Sequence, residues 1–216
     1  MESQPQLEPL KLSKADFFRS NVFITWSAKV NREVRLIGPA QFDAWLLLEF
    51  DSEISSFCER PPLAIEMRNT ARSSRPVDFW IHTRRDKQLG IVLYDGSQRR
   101  EHALPLEVLQ SSLQASELPC DLWLASDLRQ RAVYMRNLKQ MQPYMAVENQ
   151  RDIYLEDTVL HSLKELPSTW ERLFALVPPM PRQAFDSCIV RLIHQGRITS
   201  DLETYPLSSQ TLLSLK

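Results

Sequence analysis

Residues Gly90–Tyr94 read Gly-Ile-Val-Leu-Tyr, an apolar run with no charge, closed by the turn pair Asp95-Gly96. A strand with one face in water alternates apolar and polar residues, whereas one covered on both faces runs apolar throughout. The run therefore predicts a buried central strand, and the segments around it supply partners. Leu63–Met67 and Val77–His82, separated by the polar loop Asn69–Arg75, read as an antiparallel hairpin, and Cys120–Ala125 reads as a further strand. Gly38-Pro39 opens an apolar helix over about residues 40–50, because the fixed φ of proline suits a first helical turn. Phe42, Trp45, Leu46, Leu48 and Phe50 give that helix a broad apolar face, and Asp51-Ser52 stops it or opens a short turn through Phe57. Ser13–Ser20 reads as a short helix with Ser13 as its N-cap, and Glu33–Ile37 as a strand. Further helices are expected over Leu104–Ala115, from Asp127, and over Asn137–Tyr144. Helices interleaved with strands in this way predict an α/β domain around a mixed sheet, residues 1–151.

The remainder, residues 152–216, has a different pattern. Asp157–Leu166, Ser168–Leu176 and Pro181–Gln195 read as three helices, the second opened by Ser168 with Glu171 in capping-box spacing. Phe185, Ile189, Leu192 and Ile193 share one face of the third, and Gly196 ends it. Arg197–Leu202 and Thr211–Leu215 read as short strands. Three helices and a terminal hairpin predict a small winged helix-turn-helix domain.

Several function classes drop out on composition. The chain has four glycines, and only Gly90 and Gly96 are near each other, at a spacing that makes neither a P-loop nor a dinucleotide fingerprint. The longest apolar stretch, Ala44–Phe50, is broken by Glu49 and is far shorter than a membrane span. The amino terminus, Met-Glu-Ser-Gln-Pro, lacks a leader pattern. Cys58, Cys120 and Cys188 have neither zinc spacing nor an even count for disulfides, which points to reduced thiols in a cytoplasmic protein. The histidines His82, His102, His161 and His194 have no nucleophile motif beside them and no metal-ligand spacing.

Charge is uneven. Residues 68–100 hold eight cations against Asp78, Asp86 and Asp95, whereas residues 151–216 hold seven cations and eight anions. Phosphate neutralisation favours the first region, so Arg72, Arg75, Arg84, Arg85 and Lys87 are its candidate DNA-binding residues. Solvated charges protecting a hairpin edge are the competing reading.

One set of segments is more specific. Leu46-Leu47-Leu48-Glu49-Phe50-Asp51 is followed by Phe57-Cys58-Glu59-Arg60-Pro61-Pro62 and then by Arg75-Pro76-Val77-Asp78-Phe79. Ser27-Ala28-Lys29-Val30 lies upstream, with Asn137-Leu138, Tyr144, Gly196-Arg197-Ile198 and Asp201-Leu202 downstream. In this order, across nearly the whole chain, the segments resemble the TnsA family, the endonuclease subunits of heteromeric TnsABC transposons. The resemblance implies a restriction-endonuclease-like mixed sheet of PD-(D/E)XK type with flanking helices, followed by a winged-helix domain. It also implies a nuclease motif: a helix glutamate, an aspartate in a Pro-Asp-Phe strand, an acid or amide on the next strand, and a lysine two residues on. Those positions hold Gln41, Asp78, Val92 and Tyr94.

Magnesium takes hard oxygen ligands, and paired ions clamp the attacking and leaving oxygens while a lysine steadies developing charge. Valine has no ligating atom, and a tyrosine with a pKa of about 10 supplies no cation. The expectation is a vestigial site with no catalytic residue, no metal and no cofactor. Asp95 falls on the opposite strand face from Val92, which leaves Glu66 as the better-placed carboxylate for a relocated ligand.

In the family, TnsA cuts the 5′ ends of the element, a TnsB-type transposase acts on the 3′ ends, and the carboxy-terminal domain docks on a TnsC-type AAA ATPase. The expected function is a non-catalytic accessory subunit that bridges a TnsB-like transposase and a TnsC-like AAA ATPase at transposon-end DNA. The alternative is an active metal-dependent endonuclease cutting 5′ ends with relocated ligands; a third reading is a stand-alone DNA-binding regulator. Arg182, Asp186, Arg191, His194 and Arg197 form a mixed-charge set suited to a protein partner and are the candidate docking residues.

Overall fold

The structure, a computed structural model, describes residues 7–67, 73–96, 105–145 and 152–216. Arg68, Arg72, Arg99 and Arg100 lie outside the described residues, as do Leu104 and most of the polar loop before Arg75. The chain divides into two compact units, each woven from separate segments.

The first unit comprises the segment ending at Thr25, Glu33–Trp45 and Glu53–Gln130. Helix α1 (Lys14–Arg19) is held by the expected cap: Ser13 and Asp16 bond each other's backbone N–H groups in a capping box. Strands β1 (Val22–Ser27) and β2 (Arg32–Ile37) pair in a two-stranded sheet. On β2, Val34 and Leu36 are buried while Glu33 and Arg35 are exposed, the alternation expected of a strand with one wet face. Helix α2 (Gly38–Phe50) follows directly. Then come β3 (Ile54–Glu59), β4 (Ala64–Glu66), β5 (Ser74–Pro76), β6 (Phe79–Thr83), β7 (Gln88–Tyr94), α3 (Leu106–Gln114), β8 (Cys120–Leu124) and α4 (Ala125–Gln130).

The main sheet has the order β3-β6-β7-β8. Its first three strands are antiparallel, and β8 runs parallel to β7 from Gly90↔Cys120 to Tyr94↔Leu124. A parallel partner needs a crossover, which α3 supplies. The chain is thus α/β, with a mixed sheet and flanking helices. The apolar run on β7 is internal as expected: Ile91 and Val92 are fully buried. A Cβ at Gly90 would run into the Cys120 sulfur on β8, so a larger residue there would force that side chain to move.

Two expectations are corrected. Val77–His82 does not form a hairpin with Leu63–Met67; β4 pairs with β5, built from the end of the loop, while β6 pairs with β3 and β7. The turn expected near Glu53–Phe57 is the strand β3, whose register shift between Ile54 and Ser56 spoils the alternation that would have marked it.

The second unit comprises Trp26–Arg32, Leu46–Ser52 and Arg131–Lys216. It contains α5 (Ala132–Met145), α6 (Ile153–Glu165), β9 (Ser168–Thr169), α7 (Trp170–Leu176), α8 (Arg182–His194), β10 (Ile198–Ser200) and β11 (Leu212–Leu215). The strands form one antiparallel sheet in the order β10-β11-β9. Helix α8 packs against α5 and α6, and Phe185, Cys188, Ile189, Val190 and Leu192 are buried with Met135, Leu138 and Met141 of α5 and Leu155, Val159 and Leu163 of α6. The α7 cap differs from expectation. Ser168 belongs to β9, and Thr169 accepts from the Arg172 N–H, so Glu171 is released to pair with Arg182. The expected boundary at 151/152 borders residues 146–151, outside the described residues, while this unit already includes α5. Among the described residues, no helix is long and apolar enough to cross a membrane.

Candidate functional site

Asp78 lies at the junction between β5 and β6, where the chain leaves a ribbon and enters the main sheet. Its backbone is clamped on both sides: its N–H donates to Ile91 O at 2.9 Å, and its carbonyl accepts from Arg60 N–H at 2.7 Å. The side chain is 16% exposed. Oδ2 accepts from the Arg75 guanidinium at 2.7 Å and from the Leu93 N–H at 2.8 Å. Oδ1 faces the Gln41 amide nitrogen at 3.4 Å. Burial pushes this carboxyl above its ordinary range, against the opposing pull of Arg75, the Leu93 amide and Gln41.

Gln41 sits in the first turns of α2, and its Oε1 accepts from the Ile37 N–H at 2.6 Å. Its oxygen is thereby spent on a donor just ahead of the helix, and the amide turns its NH2 toward Asp78. Arg75 is held equally firmly. Besides Asp78, its guanidinium donates to Leu93 O at 3.0 Å and to Pro76 O at 2.6 Å. Gln41, Asp78 and Arg75 thus form one hydrogen-bonded group.

Val92 and Tyr94 lie elsewhere. Val92 is part of an apolar cluster with Ile65, Met67, Val77 and Leu109, and Tyr94 packs against that cluster. Glu66 is exposed on β4, and its neighbour Ile65 turns into the cluster, so strand alternation points Glu66 away from it. Asp95 pairs with Arg129 at 3.2 Å. The divalent ions implied by the resemblance do not fit this donor set. A single carboxylate with both oxygens engaged, an amide presenting hydrogens and an apolar neighbour strand cannot build a near-octahedral oxygen cage. Among the described residues, no three His, Cys, Asp or Glu side chains gather in a way that could hold a metal ion.

The candidate DNA-binding residues divide. Arg75 is engaged inward, and Arg72 lies outside the described residues. Arg84, Arg85 and Lys87 are exposed on the turn joining β6 to β7, with Arg85 facing Glu53 at a loose 3.8 Å.

The docking candidates all engage partners within the second unit. Arg182 bonds Glu171 at 2.7 Å and Asp186 at 3.0 Å, and lies over the Phe174 ring. Asp186 also accepts from the Trp170 indole N–H at 2.8 Å. Arg191 and Arg197 flank Glu156, whose side chain is 1% exposed. His194 meets Glu49 at 3.0 Å.

Glu49 anchors a group that sequence reasoning missed. Oε2 accepts from Ser27 Oγ at 2.5 Å, and Oε1 from the Lys29 N–H at 3.0 Å. Burial raises this carboxyl, but His194, Ser27 and the Lys29 amide together hold it below its ordinary value. Lys29 Nζ then donates to Leu48 O and Asp51 O, answering carbonyls at the end of α2 where the helix dipole favours a cation. The available signal was an acid within Leu-Leu-Leu-Glu-Phe, because a glutamate in an apolar face needs a partner. No protein-family model matches the chain, and no curated protein matches it.

Proposed function

We propose that this chain is a TnsA-like accessory subunit of a DNA transposition complex, which bridges a TnsB-like transposase and a TnsC-like AAA ATPase at element-end DNA without cutting it. Two arrangements support the fold assignment. The order α2, β3, β6, β7, α3, β8, with the last strand parallel to its neighbour, agrees with a restriction-endonuclease-like domain. The order α6, β9, α7, α8, β10, β11, with the three strands in one antiparallel sheet, agrees with a winged helix.

The observation that carries the non-cutting assignment is the state of Asp78. In a two-metal nuclease its carboxylate would face cations and a second acid. Here it faces an arginine, a peptide N–H and an amide NH2. The helix-end cap formed by Ser27, Lys29 and Glu49 supports the resemblance separately, because it joins two of its matched segments, Ser-Ala-Lys-Val and Leu-Leu-Leu-Glu-Phe-Asp.

Transposition products provide the test. A TnsB-type transposase acting alone joins the 3′ ends and leaves the 5′ ends on the donor, so replication yields cointegrates. Reconstituting the transposase, the ATPase and this chain should give 3′-joined strand-transfer products whose 5′ ends remain on the donor, with this chain co-purifying with the other two. Simple insertions produced by these three proteins would refute the non-cutting assignment. Failure to co-purify would refute the accessory role.

A further inference from the structure

We propose that the guanidinium of Arg75 is the resident cation of the Asp78 site, standing where a divalent ion would otherwise be needed. Arg75 reaches Asp78 Oδ2 at 2.7 Å from β5, three residues away, with its side chain 21% exposed. One guanidinium nitrogen bonds both that oxygen and the Leu93 carbonyl on β7, while the other bonds Pro76 O. The planar fork of arginine suits this simultaneous bonding, whereas an ammonium group has no fixed fork. Asp78 Oδ2 also takes the Leu93 N–H, so carboxylate and guanidinium together saturate both polar groups of the Leu93 backbone. The pair therefore neutralises a carboxylate poorly reached by water and fastens the β4–β5 ribbon to the main sheet. Either task would fail with an empty site, because an uncompensated buried carboxylate is costly.

This inference rests on the reading above only in taking a divalent ion as the expected occupant; the geometry of Arg75 stands apart from the family. It predicts that removing the side chain leaves a vacancy that fits a free guanidinium ion. Arg75→Ala should lower the melting temperature of the full chain by about 5 °C or more. About 20 mM guanidinium, against an equal concentration of sodium, should restore part of that loss, whereas Mn²⁺ should not, because a single carboxylate beside an amide NH2 and an apolar strand is a poor oxygen cage. Neither cation should raise the melting temperature of the parent or of Arg75→Ala/Asp78→Asn, and the double variant should be more stable than Arg75→Ala.

Equal stabilisation of the parent by guanidinium would overturn the proposal, as would a double variant no more stable than Arg75→Ala. If Arg75→Ala does not fold, folding of the double variant supports the proposal and its failure overturns it. Cation rescue without partner association would leave this inference standing and remove the accessory-subunit reading; the reverse result would separate the two in the other direction.

Discussion

Glu156 is the most demanding charge in the second unit. Its side chain is 1% exposed, with Oε1 3.6 Å from Arg191 and Oε2 3.1 Å from Arg197. Glu156→Gln keeps the volume but leaves two arginines facing a neutral amide. Removing one partner of a fully buried pair costs about 3–5 kcal/mol. Neither arm here reaches that limit. Arg197 is 39% exposed, so solvent screens it toward the ~0–1 kcal/mol of a surface pair. Arg191 is 20% exposed, but its 3.6 Å separation exceeds that of a good charge-assisted hydrogen bond. Together the arms put the expected loss at about 2–3 kcal/mol.

Hydrogen exchange at the amides of α6 and α8 localises the effect to the second unit. A loss of that size lowers protection roughly 30- to 150-fold wherever exchange proceeds through opening of this unit. Thermal unfolding of the full chain should fall by about 5–10 °C. A fall in protection below about threefold would refute the reasoning, since Glu156 would then behave as an exposed acid. The same geometry bears on partner binding. Arg191→Glu would set a second carboxylate against Glu156, so any loss of association in that variant would report damage to the unit rather than a removed contact.

Glu49, held below its ordinary value of 4.5 chiefly by His194 against the opposing effect of burial, contributes stability that is present above that value. This stability is lost as pH falls through the lowered folded value, so Glu49→Gln should flatten the acid limb of the stability profile; an unchanged limb would refute the assignment. Neutralising Arg84, Arg85 and Lys87 together should weaken DNA binding by the assembled complex and reduce its salt slope by up to about 2–3, whereas an identical slope would make them solvated surface only. Truncation before Asp152 removes the helix against which Met135, Leu138 and Met141 are buried, so the remaining α5 should lose its exchange protection; retained protection would show that α5 folds without α8.

Legibility in the sequence followed the range of the forces involved. Helix α1 was readable to its cap because Ser13 and Asp16 are three residues apart, and β7 because an apolar run closed by Asp-Gly is a local signal. Pairing was harder. Leu63–Met67 and Val77–His82 have adequate strand patterns, but the choice between each other and the partners β5 and β3 depends on distant packing and on a bulge that hides β3. The α7 cap failed by one residue, since serine and threonine at adjacent positions can both accept the bond and β9 claimed the serine.

The site divides along the same line. Gln41, Asp78, Val92 and Tyr94 were named from the resemblance, and that a valine and a tyrosine supply neither a carboxylate ligand nor a cation follows from side-chain chemistry alone. The engagement of Arg75 could not be named. A solvated phosphate-binding arginine and a buried counter-ion look identical in sequence, and only the approach of β7, which brings Leu93 to Asp78, distinguishes them. The ion pairs of Arg191, His194 and Arg197 were hidden for the same reason. Glu49 and Glu156, which hold His194, Arg191 and Arg197, lie far from them in the chain, so the sequence shows the charges but not the pairs that position them. Arg182 keeps 40% of its side chain exposed while paired with Glu171 and Asp186, so an ion pair within the unit does not withdraw a side chain from a partner.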